Sequence, residues 1–215
     1  MNFVFFVFDG FDALDAVGPY EALVRVPGAR ATFAAPERGI VRTENSALNL
    51  SVDTAIDEIA GCDLLLVPGG FATRKLERDQ RVLAWLRAID RTTRITASVC
   101  TGAMLLAAAG LLRGRRANTH WAVRQRLLDY GAVPVAERVV RDGKYATAAG
   151  VSAGIDLGLA LAAELAGRRV AEAIQLGLEY DPDPPFDSGD PVRAPAALRL
   201  AVLAFLRMRE MQCGV

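Results

Sequence analysis

One histidine, three cysteines and no excess of either charge leave few kinds of chemistry open to this 215-residue chain. Lys+Arg and Asp+Glu both number 25, so the formal charge is zero and the one-signed field that gathers nucleic acid or an anionic membrane surface is missing. The expected partner is a small, neutral or weakly polar molecule. The apolar start, Met1 to Phe8, has no basic segment before it and is far too short to cross a bilayer, so it reads as a buried first strand. Cys62, Cys100 and Cys213 make an odd count without metal-type or disulfide-type spacing, which points to a reducing compartment and a cytoplasmic location. There is no internal repeat, low-complexity tract or linker that would divide the chain.

With 52% hydrophobic residues, what remains is enough for one large core. Short apolar runs alternate with helical patterns, the signature of a parallel sheet covered on both faces. Strands are expected at Phe3 to Phe8, Ala31 to Ala35, Asp63 to Val67, Arg94 to Val99 and Tyr145 to Ala148. Helices are expected at Asp15 to Arg25, Gln80 to Arg91, Gly102 to Leu112, Trp121 to Tyr130, Ser152 to Ala166 and Val170 to Leu178. Val139 to Thr147 carries two β-type arms around Asp142-Gly143 and predicts a late hairpin. The fold class is therefore α/β, a doubly wound sandwich with a mostly parallel sheet. Residues 1–180 form its body, and 181–215 supply a proline-rich extended arm and a last helix, Ala196 to Met211, that docks on the same body or on a second subunit.

The informative residue is Cys100. The β-forming run Ile95 to Val99 gives way there to Thr101-Gly102-Ala103 and a helix-forming stretch, so the thiol stands at a sharp strand-to-helix turn, a nucleophile elbow. A helix opening beneath a thiol favours the thiolate. Cys62 and Cys213 read as small core hydrophobes. Val67-Pro68-Gly69-Gly70 ends a neighbouring strand, and the Gly70 and Thr101 backbone N–H groups read either as donors that stabilise developing negative charge or as parts of ordinary turns. After the first strand, Asp12 is assigned the cap of the next helix, and Asp15, set among Leu14, Ala16 and Val17, is a buried acid. Against Cys100 it forms a coupled pair sharing protons. His120, the sole histidine, reads as a partner base or as a structural residue opening a helix. The basic run Arg113 to Arg116 reads as solvated charge.

These segments resemble the ThiJ/PfpI superfamily through Asp15 to Pro19, Val67 to Gly70, Ser98 to Gly102, Thr119 to Trp121 and Gly150 to Asp156. The resemblance implies a flavodoxin-like domain with a reactive Cys100. Protease-like members carry His directly after the cysteine, where this chain has Thr101; glyoxalase- or deglycase-like members carry Glu in place of Asp15. Regulator members carry a DNA-binding region for which this chain is too short. The pattern is most similar to the isocyanide hydratase group, which shares the stretch Leu178 to Asp187. That likeness implies an isocyanide substrate, Cys100 as nucleophile, Asp15 as proton donor, Thr101 orienting Asp15 or its water, no metal or organic cofactor, and a homodimer. Aldehyde chemistry of the glyoxalase or deglycase kind, and a cysteine-based redox sensor, are the rival readings.

Overall fold

Alternation in the first strand decides where the layers lie. In the computed structural model, which describes residues 1–212, β1 (Asn2–Phe6) sends Phe3 and Phe5 to one face of a sheet and Val4 and Phe6 to the other, and all four are buried. Behind it come α1 (Ala13–Leu23), β2 (Arg30–Ala35), β3 (Gly39–Arg42), β4 (Asn49–Val52), β5 (Thr54–Ala55) and β6 (Leu64–Val67). Next are α2 (Thr73–Leu76), α3 (Gln80–Asp90), β7 (Ile95–Val99) and α4 (Gly102–Ala108). The second half holds β8 (Arg116–Ala117), β9 (Val133–Pro134), β10 (Val139–Asp142), β11 (Tyr145–Ala148), α5 (Ala153–Ala166), α6 (Arg168–Gly177) and α7 (Ala196–Gln212).

The main sheet runs β10-β11-β7-β6-β1-β2-β5, with every neighbouring pair parallel except the β10–β11 hairpin. One core layer packs Val4, Phe6, Leu65 and Val67 against Leu83, Leu86 and Met104 from α3 and α4. The opposite layer packs Phe3, Phe5, Leu64 and Leu66 against Leu23, Leu157 and Leu161 from α1 and α5. A doubly wound sheet places its ligand-binding loops at the carboxyl ends of the strands, here those of β1, β6, β7 and β11.

Several expected elements end differently. The first strand stops at Phe6 although Phe8 is buried, and α4 ends at Ala108, with the chain turning through Gly110 and Gly114, both at positive φ. Trp121–Tyr130 is a 3-10 helix rather than an α-helix. The β3–β4 hairpin, β5, the short α2 and the β8–β9 pair have polar or half-exposed sequences and gave no periodic signal. Residues 181–191 are irregular, and α7 has no fully buried residue. Cys213 lies outside the described residues.

Two glycines contrast. A Cβ on Gly102 would run into the carbonyl oxygen of Val67, whereas one on Gly177 meets nothing within 4 Å. Gly102→Ala is therefore expected to cost at least about 2 kcal/mol in thermal or denaturant unfolding. Gly177→Ala should be neutral or stabilising by up to about 1 kcal/mol, and equal effects would contradict this packing.

Candidate active site

The strand-to-helix junction forces Cys100 into the left-handed region, φ 54°, where a side-chain-bearing residue is strained. The strained backbone is held from both sides. Cys100 N–H donates to the Ala149 carbonyl at 2.8 Å, and the buried Thr119 hydroxyl donates to the Cys100 carbonyl at 2.7 Å. The thiol is buried, and the backbone N–H groups of Thr101 and Val151 donate toward it. Val151, in the turn after β11, has φ 30°, an outlier for a β-branched residue, and that strain accompanies its amide's direction toward the sulfur.

Asp15 lies in the first turn of α1, completely buried. Its Oδ2 accepts the Gly69 N–H at 2.7 Å, while Oδ1 is buried without a hydrogen bond of ordinary geometry. Burial, then repulsion from Asp12, push this carboxyl well above the usual carboxylate range, and the Cys100 thiol is close enough to interact with it. Burial, and next the charge of Asp15, likewise push the Cys100 thiol up. The helix-derived stabilisation expected of a thiolate is outweighed here by desolvation. The two groups repel each other's negative forms, so they hold one proton between them more readily than none. Asp12 caps α1 as expected, its Oδ1 accepting the Leu14 N–H at 3.0 Å.

Two expected roles are corrected. The Gly70 N–H donates to Thr101 Oγ1 at 2.9 Å, so it is not a free donor facing the cysteine; Val151 N–H takes the place beside Thr101 N–H. Thr101 Oγ1 in turn donates to the Gly70 carbonyl at 3.2 Å, so its hydroxyl ties the elbow to the β6 loop instead of binding Asp15. His120 borders the same cavity as Cys100 and Thr101, and its Nδ1 accepts the Ala122 N–H at 3.3 Å, which leaves Nε2 to carry the proton. Burial, then Arg124, lower its pKa, so the ring is neutral at pH 7. Among the described residues it makes no hydrogen bond to Cys100 or Asp15.

The cavity over Cys100 measures about 150 Å³. Phe71, Val123, Val151 and Leu206 give it apolar walls, and Asp12, Glu44, Arg74, Arg126 and Glu210 line it with charge. Glu210 comes from α7 and pairs with Arg74 of α2 through contacts of 2.9–3.0 Å. Neither Glu44, Arg74, Glu210 nor Val151 had a role in the sequence reading; only Val151, in the turn after a strand, carried a signal that a strand-end rule would have caught. Cys62 is buried far down the sheet with its thiol pushed up to about 12, as a core residue. Among the described residues no three His, Cys, Asp or Glu side chains converge on a metal position, and no helix is long and apolar enough to span a membrane.

A thiol at a strained elbow beside a buried acid, on a flavodoxin-like sheet, coincides with a family match over residues 1–164. The chain belongs to the DJ-1/PfpI family. Among family relatives, the isonitrile hydratase of Pseudomonas putida is 42% identical over 194 residues, covering 90% of this chain and 85% of that protein. A deglycase of Pyrococcus horikoshii is 26% identical over 147 residues, 67% of this chain and 87% of the relative. The crystal structure of a ThiJ/PfpI family protein from Pseudomonas syringae superposes with a TM-score of 0.93 at 34% identity, covering 98% of this chain and 87% of that one.

The buried acid makes a stability prediction. The unfolded chain releases the Asp15 proton near pH 4, whereas the folded state keeps it to higher pH, so stability conferred by the protonated carboxyl is present below that value and is lost as pH rises through the raised one. Asp15→Asn keeps an acceptor for Gly69 N–H and never ionises. The melting temperature of Asp15→Asn minus that of the wild type should grow from pH 4 to pH 8; a difference that shrinks contradicts a raised Asp15.

Proposed function

We propose that the protein is an isocyanide hydratase that uses Cys100 and Asp15 to convert isocyanides into N-substituted formamides without a metal or organic cofactor. The observation that carries this reading is the buried Asp15 beside the Cys100 thiol, at a site in a chain 42% identical to an isonitrile hydratase. A cavity of about 150 Å³ with apolar walls suits an isocyanide whose substituent is about the size of a six-membered ring.

An isocyanide carbon accepts a nucleophile and must also gain a proton, and the Cys100–Asp15 pair supplies both when its shared proton lies on Asp15 and the sulfur is a thiolate. Sulfur forms a bond to the terminal carbon as the Asp15 proton passes to that same carbon, giving the thioimidate R–N=CH–S–Cys100. Water then adds to the carbon, with one of its protons taken up at nitrogen. The carbon–sulfur bond breaks as the remaining hydroxyl proton returns to Asp15, releasing R–NH–CHO and restoring the thiolate and acid. Thr101 and Val151 N–H groups steady the sulfur's charge at the start and end of the cycle. Thr101 Oγ1 is a positioning group, holding the β6 loop whose Gly69 N–H orients Asp15. His120 is neutral and serves as a cavity wall and helix cap.

Formamide production from an aryl isocyanide tests the proposal. Cys100→Ala should abolish turnover, Asp15→Asn should lower it about 10²–10⁴-fold, and His120→Ala should lower it far less. Full activity in Asp15→Asn, or silence in His120→Ala alone, reverses the assignment. Wild type that is inert to isocyanides but consumes methylglyoxal moves the chain to aldehyde chemistry, for which the deglycase relative is the precedent.

The reading includes a homodimer, supported by Leu198, Phe205, Met208 and Met211, which α7 leaves exposed. Sedimentation at low micromolar concentration should give twice the chain mass; a monomer contradicts it.

A further inference from the structure

The charges around the cavity do not cancel evenly. Arg74 is matched by Glu210 in a bidentate pair, and Arg126 is matched by the buried Glu77 at 2.6 Å, which also accepts the Tyr130 hydroxyl at 2.7 Å. His120 is neutral. Asp12 and Glu44 are different: both line the cavity from half-exposed positions above the buried thiol, and among the described residues neither forms an ion pair. The charge of Arg209 on α7 acts on Glu44 without forming an ion pair with it: its guanidinium donates to the Glu44 backbone carbonyl at 3.4 Å and to Asn45 Oδ1 at 3.2 Å, and lies 5.7 Å over the Phe71 ring. Burial, and then the neighbouring Asp12 carboxylate, raise the Glu44 pKa, outweighing the Phe71 N–H and the Arg209 charge that lower it.

We propose that Asp12 and Glu44 make the cavity rim a charge filter that admits neutral and cationic substrates and rejects those carrying a carboxylate. For the isocyanide class this rests on the hydratase reading above: the substrates are isocyanides with an uncharged or positively charged substituent, and isocyano acids are excluded. An anion entering past two unpaired carboxylates meets repulsion worth about a factor of five or more per charge even at near-water screening over a few ångströms. A neutral molecule of the same size meets none.

Alkylation of Cys100 separates the filter from the catalytic reading. Iodoacetate and iodoacetamide form the same carbon–sulfur bond with loss of iodide and differ in charge, and the product at Cys100 is read by peptide mass in the full-length protein. The ratio of iodoacetamide to iodoacetate rates, divided by the same ratio for a free thiol in solution, should exceed about tenfold and contract as salt is raised. Glu44→Gln, whose side-chain carbonyl can still accept the Phe71 N–H that Glu44 accepts now, should narrow the ratio about fivefold. Arg74→Gln strands Glu210 as a third unpaired carboxylate and should widen it. A ratio equal to that of the free thiol, or a shift in the same direction in both variants, overturns the proposal. In the turnover assay, methyl isocyanoacetate should be hydrated and isocyanoacetate should not. If neither is hydrated while the alkylation ratios behave as stated, the filter stands and the isocyanide class falls.

Discussion

A gap too narrow for one methyl group governs this site. A Cβ placed on Gly69 would lie 2.5 Å from Thr101 Oγ1, 2.6 Å from Thr101 N and 2.8 Å from Asp15 Oδ2. Three elements, the β6 loop, the β7 elbow and the start of α1, therefore meet with Gly69 directly against Thr101 and the Asp15 carboxyl. Gly69 gives the N–H that orients Asp15, Thr101 bridges the loop through its hydroxyl, and the elbow presents the sulfur. Such closeness is what keeps the acid dry. A carboxyl without room for water beside it remains protonated to higher pH, which is the state the proposed chemistry needs.

Strain is concentrated where the chemistry is proposed. Cys100 and Val151 both hold positive φ, and the hydrogen bonds from Thr119 and to Ala149 act on the elbow itself. These costs are borne by a sheet whose two faces are each covered by a large apolar layer, so local distortion at the strand ends does not loosen the body. The cavity walls are of a different kind. Leu206 and Glu210 come from α7, a helix with no fully buried residue, held over the site by the pair with Arg74 and by the contacts of Arg209.

Much of this was legible in the chain because the relevant signals are local. Phe3 and Phe5 against Val4 and Phe6 announce a strand buried on both faces, and Cys100 is conspicuous because strand-forming and helix-forming residues meet there without a connecting loop. Asp15 stood out as an acid among apolar neighbours, which is a burial signal. What was misread depends on which strands become neighbours. The choice of Val151 rather than Gly70 as the second N–H donor follows from β11 lying beside β7, and nothing near Gly70 in sequence reports that its amide is taken by Thr101. The β3–β4 hairpin escaped notice because most of its residues are exposed and lack alternation. Arg74 and Glu210, 136 residues apart, carry no mutual signal at all.

The proposed chemistry requires Asp15 to be a carboxylic acid, not a carboxylate, in the resting protein at neutral pH. An infrared difference spectrum between the wild type and Asp15→Asn at pH 7 reads this directly, because a protonated carboxyl and a carboxylate absorb at separate positions. A protonated carboxyl band present in the wild type and absent from the variant is the expected result. A carboxylate band in its place would show that Asp15 rests ionised and has no proton to give, and the proposed chemistry would fail at its first step.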